Sequence, residues 1–248
     1  MRSILAVAAL VVPVCVPALA SDKIVKSTIV SQDQKRTYYL FVPDGLSADR
    51  PAPLVILLHG SGRNGQSLAD PWKDLAKDER FVIAAPDSLD SRAWQIPVDA
   101  PAFLIDVVAE VERTYPIDPR RVYLFGHSAG AIMTLQMSLL ESQFFAAGAV
   151  HAGALPSDAG EMIQMAKRKI PLAIWVGTKD EFFPLPAVRA TRDALTAAGL
   201  PIQLTEIPNH THWYYGSAKD INKQVWTFLR RHKLDADPHV EQYDFVKR

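Results

Sequence analysis

RVYLFGHSAGAIM, residues Arg121 to Met133, is the stretch from which the rest of the chain is read. Five residues rich in β-formers, Arg121 to Phe125, run into Gly126-His127-Ser128-Ala129-Gly130, and the small and apolar residues that follow suit the first turns of a helix. A strand, a sharp turn and a helix in that order form a nucleophile elbow, which lifts a serine clear of a sheet. Such a turn holds Ser128 in a strained backbone conformation, and a side chain in place of either glycine would collide with the neighbouring strand and helix. The hydroxyl then stands over the positive end of the helix dipole.

Outward from this stretch, the first 20 residues read as a secretory signal. Arg2 supplies the positive start, Ile4 to Val12 an apolar run too short for a membrane span, and Ala18-Leu19-Ala20 a cleavage site that leaves Ser21 first. Cys15 is the only cysteine, so the mature chain is expected to have no thiol, no disulfide and no lipid anchor, and to be periplasmic or extracellular. Residues 21–233 suffice for one catalytic domain with its own core, followed by a polar tail over 234–248 that reads as a loosely ordered extension. Lys plus Arg and Asp plus Glu both number 27, so nothing steers the protein toward nucleic acid or an anionic membrane. No internal repeat or linker separates a second module.

Along the chain, Lys26 to Ser31 and Arg36 to Val42 alternate around Asp33-Gln34 and predict an antiparallel hairpin at a sheet edge. Leu54 to Leu58 is an unbroken apolar run, as expected of a parallel strand covered on both faces. Strands are also predicted over Phe81–Ala85, Ala146–Val150, Leu172–Val176 and Ile202–Ile207. Helices are predicted over Ser67–Lys77, Ala102–Thr114, from the elbow to about Ser142, and over Asp158–Lys169, Ala187–Ala198 and Ala218–Arg231. This rhythm argues for an α/β fold with a mostly parallel, doubly wound sheet, helices on both faces and no large lid domain. Ligands bind such sheets at the carboxyl ends of the strands, where Ser61, Ser128, Asp180 and His212 all fall.

A serine needs a base to take its proton, and the base works better when a carboxylate holds its tautomer. Ser128, Asp180 and His212 follow the chain order of the α/β-hydrolase fold. Asp180 follows a buried strand and a Gly turn, with Glu181 as the fallback. His212, beside Trp213-Tyr214-Tyr215, is favoured over His210. His59 and His127 frame the nucleophile as scaffold, while His151, His232 and His239 carry no local signal. The amide of Ala129 and one from the loop His59-Gly60-Ser61-Gly62 are the oxyanion donors, with Ser61 preferred and Gly62 the alternative. No His and acidic pair has metal-ligand spacing, and the loop lacks the Gly-Lys-Ser/Thr of a phosphate site, so neither a metal nor a cofactor is expected.

From about Tyr38 to Leu229 the chain resembles the secreted esterases grouped with polyhydroxybutyrate depolymerases and feruloyl or acetylxylan esterases. The likeness is carried by Pro53-Leu54-Val55 to His59-Gly60-Ser61-Gly62 and by Tyr115-Pro116-Ile117-Asp118-Pro119-Arg120-Arg121-Val122-Tyr123 leading into the elbow. His212-Trp213-Tyr214-Tyr215, Ile221-Asn222 and Trp226-Thr227-Phe228-Leu229 complete it. The resemblance implies a serine hydrolase with Ser128 as nucleophile, Asp180 as orienting acid and His212 as base. Members often have disulfides near the site, and polymer-degrading ones a separate binding module. Neither is visible here, which favours a soluble ester or short oligomer as substrate. Trp94, Phe182, Phe183 and Trp213 either line an acyl or aromatic pocket or belong to the core. A peptidase of prolyl-oligopeptidase type and a catalytically inactive binding protein on the same fold are the competing readings.

Overall fold

Leu54 to Leu58 are all fully buried, and their alternation explains the architecture: Leu54, Ile56 and Leu58 point into one core, Val55 and Leu57 into another on the opposite side of the sheet. A strand with both faces covered needs helices on both sides. The structure, a computed structural model, describes residues 21–243; the expected signal segment 1–20 and the last residues of the tail, 244–248, lie outside the described residues.

The strands are β1 (Ser21–Ser31), β2 (Gln34–Val42), β3 (Ala52–Leu58), β4 (Val82–Pro86), β5 (Ile117–His127), β6 (Ala147–His151), β7 (Leu172–Gly177) and β8 (Ile202–Ile207). They form one eight-stranded sheet in the order β1-β2-β4-β3-β5-β6-β7-β8. β1 and β2 pair antiparallel at one edge, and β3 to β8 run parallel. The hairpin turns one residue earlier than the sequence predicts. Gln32 and Asp33, both at positive φ (50° and 60°), form its tip.

The helices are α1 (Gly65–Ala69), α2 (Lys73–Glu79), α3 (Ala102–Thr114), α4 (Ala129–Leu140), α5 (Gly160–Met165), α6 (Leu185–Ala197) and α7 (Ala218–Leu229). α1, α2 and α7 pack on the face that receives Val55 and Leu57, and α3 to α6 cover the other. The single helix predicted over Ser67–Lys77 is instead two, separated by a 3₁₀ turn at Asp70–Trp72, because Pro71 has no N–H to continue the ladder. α5 is shorter than predicted: Ala166 turns extended, and the Arg168 side chain bonds the carbonyls of Ser142, Phe145 and Ala146. Among the described residues no helix is long and apolar enough to cross a membrane.

Residues 234–243 of the tail are anchored rather than loose. Leu234 is buried with the α7 residues, the His239 amide donates to Gln143 O at 3.2 Å, and the Glu241 amide donates to a Glu141 carboxylate oxygen at 3.0 Å.

Candidate active site

The carboxyl ends of β3, β5, β7 and β8 lie along one edge of the sheet, with β6 between β5 and β7, and each of the four delivers one part of the site. At the end of β5, Ser128 has φ 57° and ψ −119°, a backbone state that L-residues avoid and that surroundings must impose. The flanking glycines permit it by close approach: a methyl group on Gly126 would lie 2.1 Å from Gly130 O, and one on Gly130 only 2.0 Å from Leu58 O. The Ser128 amide donates to His151 O at 3.1 Å, which ties the elbow to β6.

Beyond β8, His212 brings its Nε2 to 2.9 Å from Ser128 Oγ, and its Nδ1 lies 3.0 and 3.2 Å from the two carboxylate oxygens of Asp180. The Asp180 side chain is 0% exposed and that of His212 17%. Asp180 Oδ1 also accepts the amides of Phe182 and Phe183, at 2.9 and 2.8 Å. Burial pushes the Asp180 pKa up, but the hydrogen bond with His212 and those two amides outweigh it and hold the carboxyl below its ordinary value. Glu181, the fallback acid, is exposed on the same loop. The loops of β7 and β8 are locked together, since Lys179 N donates to His210 O at 2.9 Å and Asn209 N to Thr178 Oγ1 at 2.9 Å.

The loop after β3 comes beside the serine; a methyl group on Gly60 would sit 3.2 Å from Ser128 Cβ. The Gly62 amide is spent on Ser91 O at 2.8 Å, whereas the amides of Ser61 and Ala129 have no acceptor among the described residues. The Gly60 amide likewise has no acceptor among the described residues, so Ser61 and Ala129 are two of the amides available on the loops that frame Ser128. His59 fixes the loop from within. Its Nδ1–H donates to Gly60 O at 2.9 Å, its Nε2 accepts the Ser88 amide at 3.2 Å, and burial lowers its pKa. Trp94, expected at the substrate pocket or in the core, packs against the core, tilted over His59 at 5.0 Å. Its Nε1–H donates to His59 O at 2.8 Å. The segment carrying Trp94 is organised by the buried Arg36–Asp99 ion pair of 2.5 Å; Asp99 also accepts the amides of Leu89 and Gln95.

Phe182 and Trp213 are 68% and 56% exposed, and the rings of Phe182 and Phe183 lie 4.8 and 5.8 Å from that of His212. What sequence reasoning missed lies behind the serine. His127 and His151 are register partners on β5 and β6, so their imidazoles stand side by side, Nδ1 to Nδ1 at 3.0 Å. His151 Nε2 in turn meets His210 Nε2 at 3.0 Å. Burial drives His127 down to about 3 and His151 to about 2, so both are neutral at physiological pH; His210 is lowered by burial as well. A neutral His151 donates from one nitrogen and accepts at the other, so the three rings form a directional chain.

A half-buried hydroxyl, an imidazole and a carboxylate in series, beside amides without an acceptor, have the chemical make-up that acyl transfer requires. Known proteins share parts of this chain. It is 33% identical over 125 residues to poly(3-hydroxyalkanoate) depolymerase C of Paucimonas lemoignei, covering 45% of this chain and 30% of that one. It is 33% identical over 129 residues to feruloyl esterase B of Neurospora crassa, covering 46% and 43%. The chain thus matches less than half the length of either curated relative. Among solved structures, the ferulic acid esterase of Anaeromyces mucronatus superposes with a TM-score of 0.66 at 19% identity, over 85% of this chain and 90% of that one, a likeness of fold. The sequence model of the alpha/beta hydrolase family matches residues 55–242, a span that holds every residue of the site just described, and the chain belongs to that family.

Proposed function

We propose that this protein is a serine hydrolase that cleaves carboxylic esters through an acyl-enzyme on Ser128. The observation that carries the proposal is the hydrogen-bonded series Ser128 Oγ, His212 and Asp180, at 2.9 Å and then 3.0 Å. Ser128 Oγ attacks the ester carbonyl while His212 Nε2 takes its proton, and Asp180 holds the imidazole and stabilises the imidazolium. The oxyanion accepts hydrogen bonds from the amides of Ser61 and Ala129. Collapse breaks the ester C–O bond, His212 gives its proton to the departing alcohol oxygen, and the acyl group stays on Ser128. Water then attacks with the same base, releasing the acid and restoring the serine.

Phe182, against His212, and the exposed Trp213, next to His212 in sequence, are the aromatic surface assigned to the substrate. Relatives named as a poly(3-hydroxyalkanoate) depolymerase and a feruloyl esterase support an ester of a hydroxy acid or an aromatic acid, taken as a soluble ester or a short oligomer. Export rests on the leader-like residues Met1 to Ala20.

The test is a panel of aryl esters, from acetyl to long acyl and including a feruloyl ester, with a dipeptide anilide alongside. It is run with protein beginning at Ser21 and with its Ser128→Ala variant. Ester turnover by the first and a loss of several orders of magnitude in the second are expected. Turnover of the anilide alone would favour the peptidase reading, and inertness on every substrate would favour a binding protein.

A further inference from the structure

One charged group at the mouth of the site is used by nothing described so far. Arg63 follows the oxyanion loop, and its amide closes that loop on Gly60 O at 3.2 Å. Its guanidinium carbon lies 5.4 Å from the centroid of the Trp213 ring and 5.0 Å from that of Tyr215. The two rings pack on each other at 5.2 Å. Among the described residues no carboxylate comes within ion-pair distance of Arg63. Four other exposed arginines do have one, Arg92 with Asp90, Arg113 with Glu110, Arg189 with Glu206 and Arg230 with Glu79, while, among the described residues, Arg50, Arg80 and Arg231 share with Arg63 the lack of a carboxylate. Asp180, the acid of the site, is buried and occupied by His212 and two amides. A guanidinium held by aromatic rings keeps its edge N–H groups free and loses little further entropy on accepting a planar anion, which it can bind by two parallel hydrogen bonds.

The position of Arg63 says which part of an ester it meets. In the reaction proposed above, on which this inference rests, the alcohol oxygen departs toward His212, the group that must protonate it. Trp213 and Tyr215 belong to the segment just after His212, and the Tyr215 ring lies 6.0 Å from that of His127, itself 5.0 Å from that of His212, so the rings that hold Arg63 border the His212 side of the serine. We infer that Arg63 selects esters whose alcohol portion carries a carboxylate, as the acid end of a short hydroxy acid oligomer does.

The experiment compares 3- and 4-acetoxybenzoate with the corresponding acetoxybenzamides, neutral and of nearly the same shape, with phenyl acetate as reference. The reading is the ratio of kcat/KM for acid over amide. Wild type is expected to favour the acid, by about tenfold or more for at least one isomer, as a charge-assisted bidentate pair allows. Arg63→Gln should abolish that preference, Arg63→Lys should restore part of it, and the wild-type ratio should shrink in high salt. If Arg63 only clasps the two loops, Arg63→Gln lowers acid and amide alike and leaves the ratio where it was, which overturns the inference. So does a wild type that shows no preference. Turnover of phenyl acetate separates these outcomes from a failure of the esterase reading: if it too is inert, both fall.

Discussion

The two sides of Ser128 are built differently. Behind it, His127, His151 and His210 form a buried chain of 3.0 Å contacts, Tyr214 stacks on His127 at 5.2 Å, and Tyr214 Oη donates to Asn222, which donates to Pro71 O. In front, Phe182 and Trp213 are more than half exposed, and Arg63 rests on aromatic rings without an acid. The buried side ties the elbow to β6 and to the loop that carries His210 and His212. The open side has few constraints and is free to suit a substrate. Catalytic geometry and specificity are therefore separable in this molecule, and substitutions on the two sides should have different signatures.

The largest effect belongs to the junction of the two sides. Asp180→Asn keeps the shape but presents an NH₂ to His212 Nδ1, because Oδ1 is claimed by the amides of Phe182 and Phe183. The imidazole then takes the wrong tautomer, and kcat on an aryl ester should fall about ten-thousandfold with little change in the urea midpoint. Gly130→Ala comes next. Its methyl group has only backbone, Leu58 O at 2.0 Å, to push against, so stability should drop by about 3 kcal/mol or more, read as a lower urea midpoint.

His151→Leu tests the buried chain itself. It strands a nitrogen on His127 and another on His210, at a cost of about 1–3 kcal/mol for each at neutral pH. It should also alter the response to acid. The folded pKa values of His127 and His151 lie far below the ordinary 6.5, so below pH 6.5 the unfolded chain binds more protons than the folded one. Stability therefore falls as pH drops from about 6.5 toward the folded values, by up to about 1.4 kcal/mol per pH unit per histidine. Urea midpoints between pH 7.5 and 4.5 should show a shallower fall in His151→Leu, which has lost one of these groups. The smallest effect is expected in front: Phe182→Ala should leave stability within about 0.5 kcal/mol while shifting relative KM values across the ester panel.

Legibility in the sequence follows the same division by range. The elbow, the apolar run of β3 and the full extent of α3 were readable because strand runs, glycine contacts and helical periodicity are local. Ser128, Asp180 and His212 were readable because chain order and strand ends place them, and the fold brings all three together. The break at Pro71 was readable in principle from proline's missing donor, whereas the early end of α5 depends on where Arg168 finds carbonyls more than twenty residues away. The His151–His210 contact joins positions 59 residues apart in sequence, so neither residue carries a local sign of it. Trp94 was readable as an aromatic near the site, but not as the group that holds His59 O.

Covalent capture tests the central assignment most directly. Protein beginning at Ser21 would be treated with an alkyl fluorophosphonate, and intact mass, peptide mapping and residual ester hydrolysis followed together. The expected result is one adduct per chain, on the peptide containing Ser128, formed in step with the loss of hydrolysis and greatly slowed in His212→Ala. An adduct on another residue that tracks the loss, or hydrolysis that survives complete labelling of Ser128, would contradict an acyl-enzyme at this serine.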